Sequence, residues 1–295
     1  MSFDIEIDNL RVAYGRSTAI DGMSCRLEGG KIYGLLGRNG AGKTSLLAVL
    51  SAFRQASSGT VRVDGEDPFE NARLMREICF VREGNDGTEL LRIKDLLGLG
   101  ASLRPNWDQA YAEKLVQRFE LPLGKRVNQL SLGKRSAARV TIALASRCPL
   151  TIFDEAYLGM DAPSRYGFYE EVLNDYLEYP RTVILSTHLI EEFGSLFEQV
   201  LIMDRGQLLV QEETDQLRER GTAITGPVEV VDRFVAGMPV LSEQTLGRTK
   251  SATVNQTLSA ERRRDARAAG LDLGPVALQD LFIHLTEPKD REKRS

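Results

Sequence analysis

Phe3, Ile5 and Ile7 alternate with Asp4, Glu6 and Asp8, a period of two that predicts a strand with one face toward a core and the other toward water. Apolar or alternating runs at 22–28, 31–36 and 59–63 predict further strands close behind it. After Gly42 the period changes: Leu46, Leu47, Val49 and Leu50 fall at helical spacing, and 78–81 reads as another strand. Residues 91–146 carry helical periodicity, interrupted at Gly98, Gly100, Pro105 and the Leu121–Gly124 turn, where glycine and proline punctuate the pattern. This predicts a helical insertion over about 86–146. Strand and helix then alternate through a strand at 150–153, a helix at 163–178, and strands at 183–185 and 200–203. That order predicts an α/β core of largely parallel strands covered by helices. Beyond Gly221 the pattern changes to a short strand, a helix at 228–235, two strand-like runs near 239–254, a helix at 259–268 and a last apolar stretch. The expected organisation is a domain over 1–221, a small α+β appendage over 222–288 and a charged tail at 289–295.

The chain has 295 residues, of which 42% are hydrophobic, enough for a large core plus an appendage. Its net charge of −4 gives no positive field for an anionic partner, so no nucleic-acid partner is expected. No apolar run approaches the roughly 18 residues that cross a bilayer, since even 140–145 is flanked by Arg139 and Arg147. A membrane role therefore has to come through a partner. The three cysteines, Cys25, Cys79 and Cys148, form no paired motif and have no nearby histidine, so they are expected to be small buried residues of a reduced cytosolic protein.

The segment Gly37-Arg38-Asn39-Gly40-Ala41-Gly42-Lys43-Thr44, followed by Ser45, fits G-x-x-x-x-G-K-[ST] between an apolar strand and an apolar helix. Glycines let the backbone turn its amides inward, and the helix N-terminus adds its partial positive charge, so the loop suits nucleotide phosphates. Lys43 supplies charge to the β and γ phosphates, and the Thr44 hydroxyl can ligate Mg2+. The acidic partner comes after the strand at 150–153. There Asp154 is placed to hold Mg2+ and Glu155 to orient or deprotonate an attacking water.

Leu130-Ser131-Leu132-Gly133-Lys134 lies just before a helical run and upstream of Asp154. Here the chain resembles the ABC ATPase family, whose signature is L-S-G-G-Q. Leu132 replaces the first glycine and Lys134 the glutamine. The resemblance covers about 4–220 and implies an α/β fold: a P-loop NTPase (RecA-like) core with an antiparallel β subdomain and a helical subdomain, here with a small α+β C-terminal appendage. It also implies that Tyr14 stacks on adenine, that Asp161 is the acid of the D-loop, and that His188 is the switch histidine reaching the γ-phosphate. Glu83 occupies the family's glutamine position, where a carboxylate can still ligate Mg2+. By the same resemblance, Ser131, Leu132, Gly133 and Lys134 act in trans, on ATP bound by a second ATPase subunit of the same or a related kind. The expected function is Mg-ATP hydrolysis for an ABC transporter, with greatest likeness to bacterial exporters of drugs, peptides or lipids. Its partner is then a polytopic permease, and its place the cytoplasmic face of the cell membrane. A soluble family member acting in translation or DNA repair is the alternative. The cluster Arg262, Arg263, Arg264 and Arg267 is expected to be a solvated helix face.

Overall fold

The computed structural model describes residues 2–84 and 87–287; the expected charged tail at 289–295 and residue 86, where the helical insertion is expected to begin, lie outside them. In chain order the elements are β1 (Ile5–Tyr14), β2 (Ser17–Leu27), β3 (Ile32–Gly37), α1 (Lys43–Leu50), β4 (Ser58–Val63), α2 (Ala72–Glu77), β5 (Ile78–Arg82), α3 (Ile93–Leu103), α4 (Gln109–Arg118) and α5 (Leu132–Ala145). They continue with β6 (Leu150–Asp154), α6 (Ala162–Glu178), β7 (Thr182–Ser186), α7 (Ile190–Phe193), β8 (Gln199–Asp204), β9 (Gln207–Glu213) and α8 (Thr214–Glu219). The last are β10 (Thr222–Pro227), α9 (Val228–Val235), β11 (Val240–Leu246), β12 (Thr249–Val254), α10 (Ala260–Ala268), β13 (Asp272–Gly274) and α11 (Leu278–Thr286). Contacts divide the chain into two units, Met1–His188 with Leu201–Gln211, and Leu189–Val200 with Glu212–Ser295.

In the first unit, β2, β1 and β4 form an antiparallel sheet in that order. Ile5 and Ile7 face inward, then the parity switches to Leu10 and Val12. The register shifts there, around Asn9 at φ +46°, so one inserted residue keeps the apolar face on the core. The second sheet runs β5-β6-β7-β3-β8-β9, with β5, β6, β7 and β3 parallel. Every residue of β3, β6 and β7 is buried, which is why these strands read as unbroken apolar runs where β1 alternates. Being parallel neighbours, the three deliver the segments after their C-terminal ends to one edge of the sheet, where α/β folds place ligands.

The structure corrects one expectation in the helical region. Helix α3 runs unbroken through Gly98 and Gly100. A Cβ at Gly100 would lie 2.8 Å from the Trp107 ring, so this glycine serves close packing and does not end the helix. The helix stops at Leu103, with extended Arg104 before Pro105, as the ring of a following proline requires. Strands β9 and β13 and the short helices α2, α7 and α8 lie outside the runs that periodicity picks out.

Helix α6 is fixed behind β6 by apolar and ionic contacts. Phe168 packs edge-on against Phe153 at 5.2 Å, and buried Asp175 lies 2.5 Å from Arg181 and 3.6 Å from Arg147. The carboxylate accepts no aligned side-chain hydrogen bond, so charge holds it there. Burial pushes the Asp175 carboxyl up, and the two arginines oppose that. Arg181 also donates to Thr151 of β6 at 3.2 Å. Cys79 and Cys148 are buried free thiols, while Cys25 is half-buried and pushed up to about 12 by desolvation.

In the second unit, β10-α9-β11-β12-α10-β13 builds an antiparallel sheet of order β11-β12-β10-β13. This is the doubled split βαβ of ferredoxin-like folds. Its core is formed by Ile224, Val231, Val235, Ala252, Val254, Leu258, Ala266 and Leu271. Asp280 of α11 accepts from Ser242 and Thr253 at 3.0 and 3.2 Å, tying that helix to the sheet. Arg262, Arg263, Arg264 and Arg267 are exposed on α10, and His284 is half-buried on α11.

Arg181→Met leaves the buried Asp175 carboxylate without its nearest cation and is expected to destabilise the protein by about 3 kcal/mol. Urea unfolding measures this, and Arg181→Met with Asp175→Leu should recover most of the loss, because the uncompensated charge is then gone.

Candidate functional site

The loop from Gly37 to Gly42 joins β3 to α1, and Lys43 is the first residue of the helix. Gly42 sits at φ +102°, and a Cβ there would meet the Ala19 carbonyl at 2.5 Å, so the turn into α1 admits only glycine. A cavity of about 290 Å³ opens at this point, lined by Ala19, Asn39, Gly40, Ala41, Gly42, Lys43, Thr44, Ser45, Asp154 and Glu155. Loop and acidic pair are thereby brought together. Lys43 is buried as a residue, and its ammonium on the cavity wall donates to the Gly37 carbonyl at 2.6 Å. Desolvation lowers its pKa, while the charges of Glu155 and Asp154 pull the other way.

Thr44 Oγ1 donates to Asp154 Oδ2 at 2.8 Å. A hydroxyl and a carboxylate facing one cavity are hard oxygen donors that suit Mg2+, which takes few protein ligands and completes its shell with water and phosphate oxygens. Glu155, next in the chain, adopts φ +50° and donates its amide to the Ser186 carbonyl at 3.0 Å. This turn sends its side chain away from Asp154, and its Oε2 lies 2.8 Å from His188 Nδ1.

Ser131 caps α5, accepting from the Lys134 amide at 3.3 Å. The Lys134 ammonium turns the other way, to the Phe119 carbonyl at the end of α4, at 2.6 Å, where a cation is favoured by the helix dipole. Gly133 packs directly on Gly159: a Cβ on Gly133 would lie 2.2 Å from the Gly159 carbonyl. Asp161 caps α6 by accepting from the Ser164 amide at 3.0 Å, and hydrogen bonds from the Ser164 hydroxyl and then from this amide lower its pKa. Ser131, Gly133, Lys134, Gly159 and Asp161 line a second cavity, of about 460 Å³.

Residues 20–158 match the model of the ABC transporter family. The daunorubicin resistance ATP-binding protein DrrA3 of Streptomyces coeruleorubidus is 27% identical, with 99% of this chain and 98% of that protein aligned. The Nod factor export ATP-binding protein I of Paraburkholderia xenovorans is 29% identical over 96% of each chain. Relatives named for import align with 70–77% of this chain. A dimeric ATP-binding cassette in a post-hydrolysis state bound to ADP and Pi superposes with a TM-score of 0.63 at 18% identity, covering 71% of this chain and 98% of that one.

The chain is an ATP-binding subunit of the ABC transporter family.

As such it is an ATPase, and the P-loop NTPase fold is shared with the solved cassettes. The other expected residues of this ABC ATPase are placed as follows. Tyr14 stands beside the loop, its hydroxyl 3.3 Å from Ser45 Oγ, and Arg38 is exposed at the loop's outer turn. Glu83 is not brought to the phosphate cavity. It lines a third cavity, of about 270 Å³, with Gly84, Glu89, Val127, Leu132, Arg135 and Arg139. Two side chains escaped the sequence reading. The Arg54 guanidinium lies 3.8 Å from the centre of the Tyr14 ring and covers one of its faces. The Tyr157 hydroxyl meets both Glu155 and His188. For Arg54 no sequence signal exists, because its partner is 40 positions away. For Tyr157 the signal was an aromatic two residues beyond the acidic pair, ambiguous until the turn at Glu155 is known.

Gly133→Ala drives a methyl group into the Gly159 backbone and is expected to cost about 2 kcal/mol, within the usual range for overpacking. Gly98→Ala, whose methyl meets nothing within 4 Å on α3, is expected to stabilise by about 1 kcal/mol. Thermal unfolding of the two variants should therefore shift in opposite directions.

Proposed function

We propose that this ABC ATPase is the energy-supplying subunit of a bacterial exporter, hydrolysing Mg-ATP at sites shared between two ATPase subunits. The observation that carries this reading is that the phosphate cavity and the Ser131 cavity have no lining residue in common. Each chain thus offers two half-sites, one rich in phosphate-binding groups and one presenting a serine hydroxyl at a helix N-terminus. A second subunit, the same chain or a related one, completes both.

In this mechanism the amides of residues 39–42 and the Lys43 ammonium receive the β and γ phosphates, aided by the N-terminus of α1. Tyr14, braced by Arg54, offers adenine its open face. Thr44 and Asp154 would hold Mg2+, which when bound would supply positive charge to the phosphates. Glu155 takes a proton from water, and His188, hydrogen-bonded to it, reaches the γ-phosphate. Ser131 and Gly133, with Leu132 and Lys134 fixing their loop, face the γ-phosphate held by the other subunit, while Asp161 shapes the contact between subunits. Glu83 joins the metal only if the end of β5 moves, since its side chain lines the neighbouring cavity.

Export is supported by the two relatives that align with 96–99% of this chain, the second unit included, both named for resistance or export. In this reading a polytopic permease carries out translocation, with this subunit on its cytoplasmic face; no helix among the described residues is long and apolar enough to cross a membrane. Of Leu90, Leu91, Ile93, Leu96 and Leu97, Leu90 is 68% exposed and Leu91 and Leu97 are half-buried, whereas Ile93 and Leu96 pack internally; Leu90, Leu91 and Leu97 are the apolar contacts through which the permease docks. Which drug, peptide or lipid passes is decided by that partner.

Two experiments test this reading. Lys43→Ala is expected to abolish ATP turnover in a chain that still folds, because the ammonium lies on the cavity wall; retained turnover would sink the site. Glu155→Gln is expected to retain ATP and accumulate dimer in light scattering with Mg-ATP. Adding Ser131→Arg should dissolve that dimer. A dimer that survives Ser131→Arg refutes the shared site, and failure of Glu155→Gln to dimerise identifies a distinct partner subunit.

A further inference from the structure

Tyr157 is buried, and its ring packs edge-on against His188 with centroids 5.7 Å apart. Its hydroxyl is the meeting point of four groups. Thr187 Oγ1 donates to it at 3.0 Å and the His188 amide at 3.2 Å. The Glu155 carboxylate and His188 Nδ1, the latter at 3.0 Å, complete the set. A phenol has one proton to give and two lone pairs to receive with. Thr187 and the His188 amide fill the receiving capacity, so the single proton goes to a carboxylate that can only accept. The remaining edge of the triangle, His188 Nδ1 to Glu155 Oε2 at 2.8 Å, also needs a proton, which assigns it to Nδ1. Both Tyr157 and His188 then donate to one oxygen of Glu155, and the other oxygen is the one with which the base meets water.

We propose that Tyr157 is a positioning residue for hydrolysis, its hydroxyl clamping Glu155 and His188 in one mutual orientation. The clamp is built from both strand ends. Tyr157 lies on the tight turn after β6, where the Leu158 amide returns to the Glu155 carbonyl at 3.1 Å. Thr187 and His188 follow β7. One hydroxyl therefore ties the acidic turn to the histidine turn, and a base carrying a free torsion is fixed without a residue that touches substrate. Burial and the neighbouring Glu155 carboxylate raise the phenol's pKa, which keeps its proton in place as a donor throughout the neutral range.

This inference rests on Glu155 acting as the base, and Tyr157→Phe tests it in the full chain, since it removes the hydroxyl and keeps the buried ring. The expected result is a fall in kcat of about 10- to 100-fold, the scale of a misplaced reacting group, with the Kd for ATP unchanged. In a Glu155→Gln background the same substitution is expected to have no further effect on residual turnover, because there is no base left to orient. An unchanged kcat for Tyr157→Phe overturns the proposal while leaving the ATPase reading intact. So does a parallel loss of affinity and turnover that persists in the Glu155→Gln background, which marks a structural role. Full turnover by Glu155→Gln itself overturns both the base assignment and the clamp.

Discussion

The whole site hangs on a buried positive charge. Lys43 has given up most of its water, and what compensates it is the Gly37 carbonyl at 2.6 Å together with the nearby charges of Asp154 and Glu155. Removing an ammonium from water costs several kcal/mol unless opposite charge and hydrogen bonds replace the solvent. That replacement is possible only because β3 and β6, separated in the sheet by β7 alone, end at the same edge. Parallel pairing thus does more than bury apolar strands: it sets a cation from one crossover against carboxylates from another. Thr44, donating to Asp154 across the same gap, adds the oxygen pair that suits Mg2+.

From that arrangement the rest of the first unit acquires a purpose. The strands are apolar on both faces so that their ends can be placed rigidly, and the ion pair between Arg181 and Asp175 ties α6 to β6 and β7 from behind. The turn after β6 then carries residues with different tasks in succession: Asp154 toward Thr44, Glu155 toward His188, Tyr157 back onto both, and Gly159 against the Ser131 loop. The departures from L-S-G-G-Q fit this picture. Lys134 is occupied by the end of α4, and Leu132 packs beside Gly159, so both hold the loop in place, while Ser131 remains exposed.

The second unit follows a different logic. Its ferredoxin-like sheet has its own core and its own ties, through Asp280 to β11 and β12. Alignment of the daunorubicin resistance and Nod factor export proteins with nearly the whole chain shows that those relatives extend across this unit as well.

Most strands, the longer helices and the phosphate loop are legible in the sequence, because all are local. Burial on two faces produces continuous apolar strands, and a loop whose amides must surround phosphate has to carry glycines at fixed offsets. The D-E pair after an apolar strand was legible for the same reason. Tertiary structure alone decided where the long-range partners fall. Gly98 and Gly100 read as helix breaks by residue type, yet α3 runs through both, and Trp107 packs against Gly100. The family resemblance makes Glu83 a metal ligand, yet it lines a different cavity from Thr44 and Asp154. Arg54 on Tyr14 and Tyr157 between Glu155 and His188 depend on the packing of separate segments and on one residue at positive φ. Periodicity reports which face of an element is buried. It carries no information about which distant side chain meets that face, since the meeting is set by how the elements pack once the chain has folded.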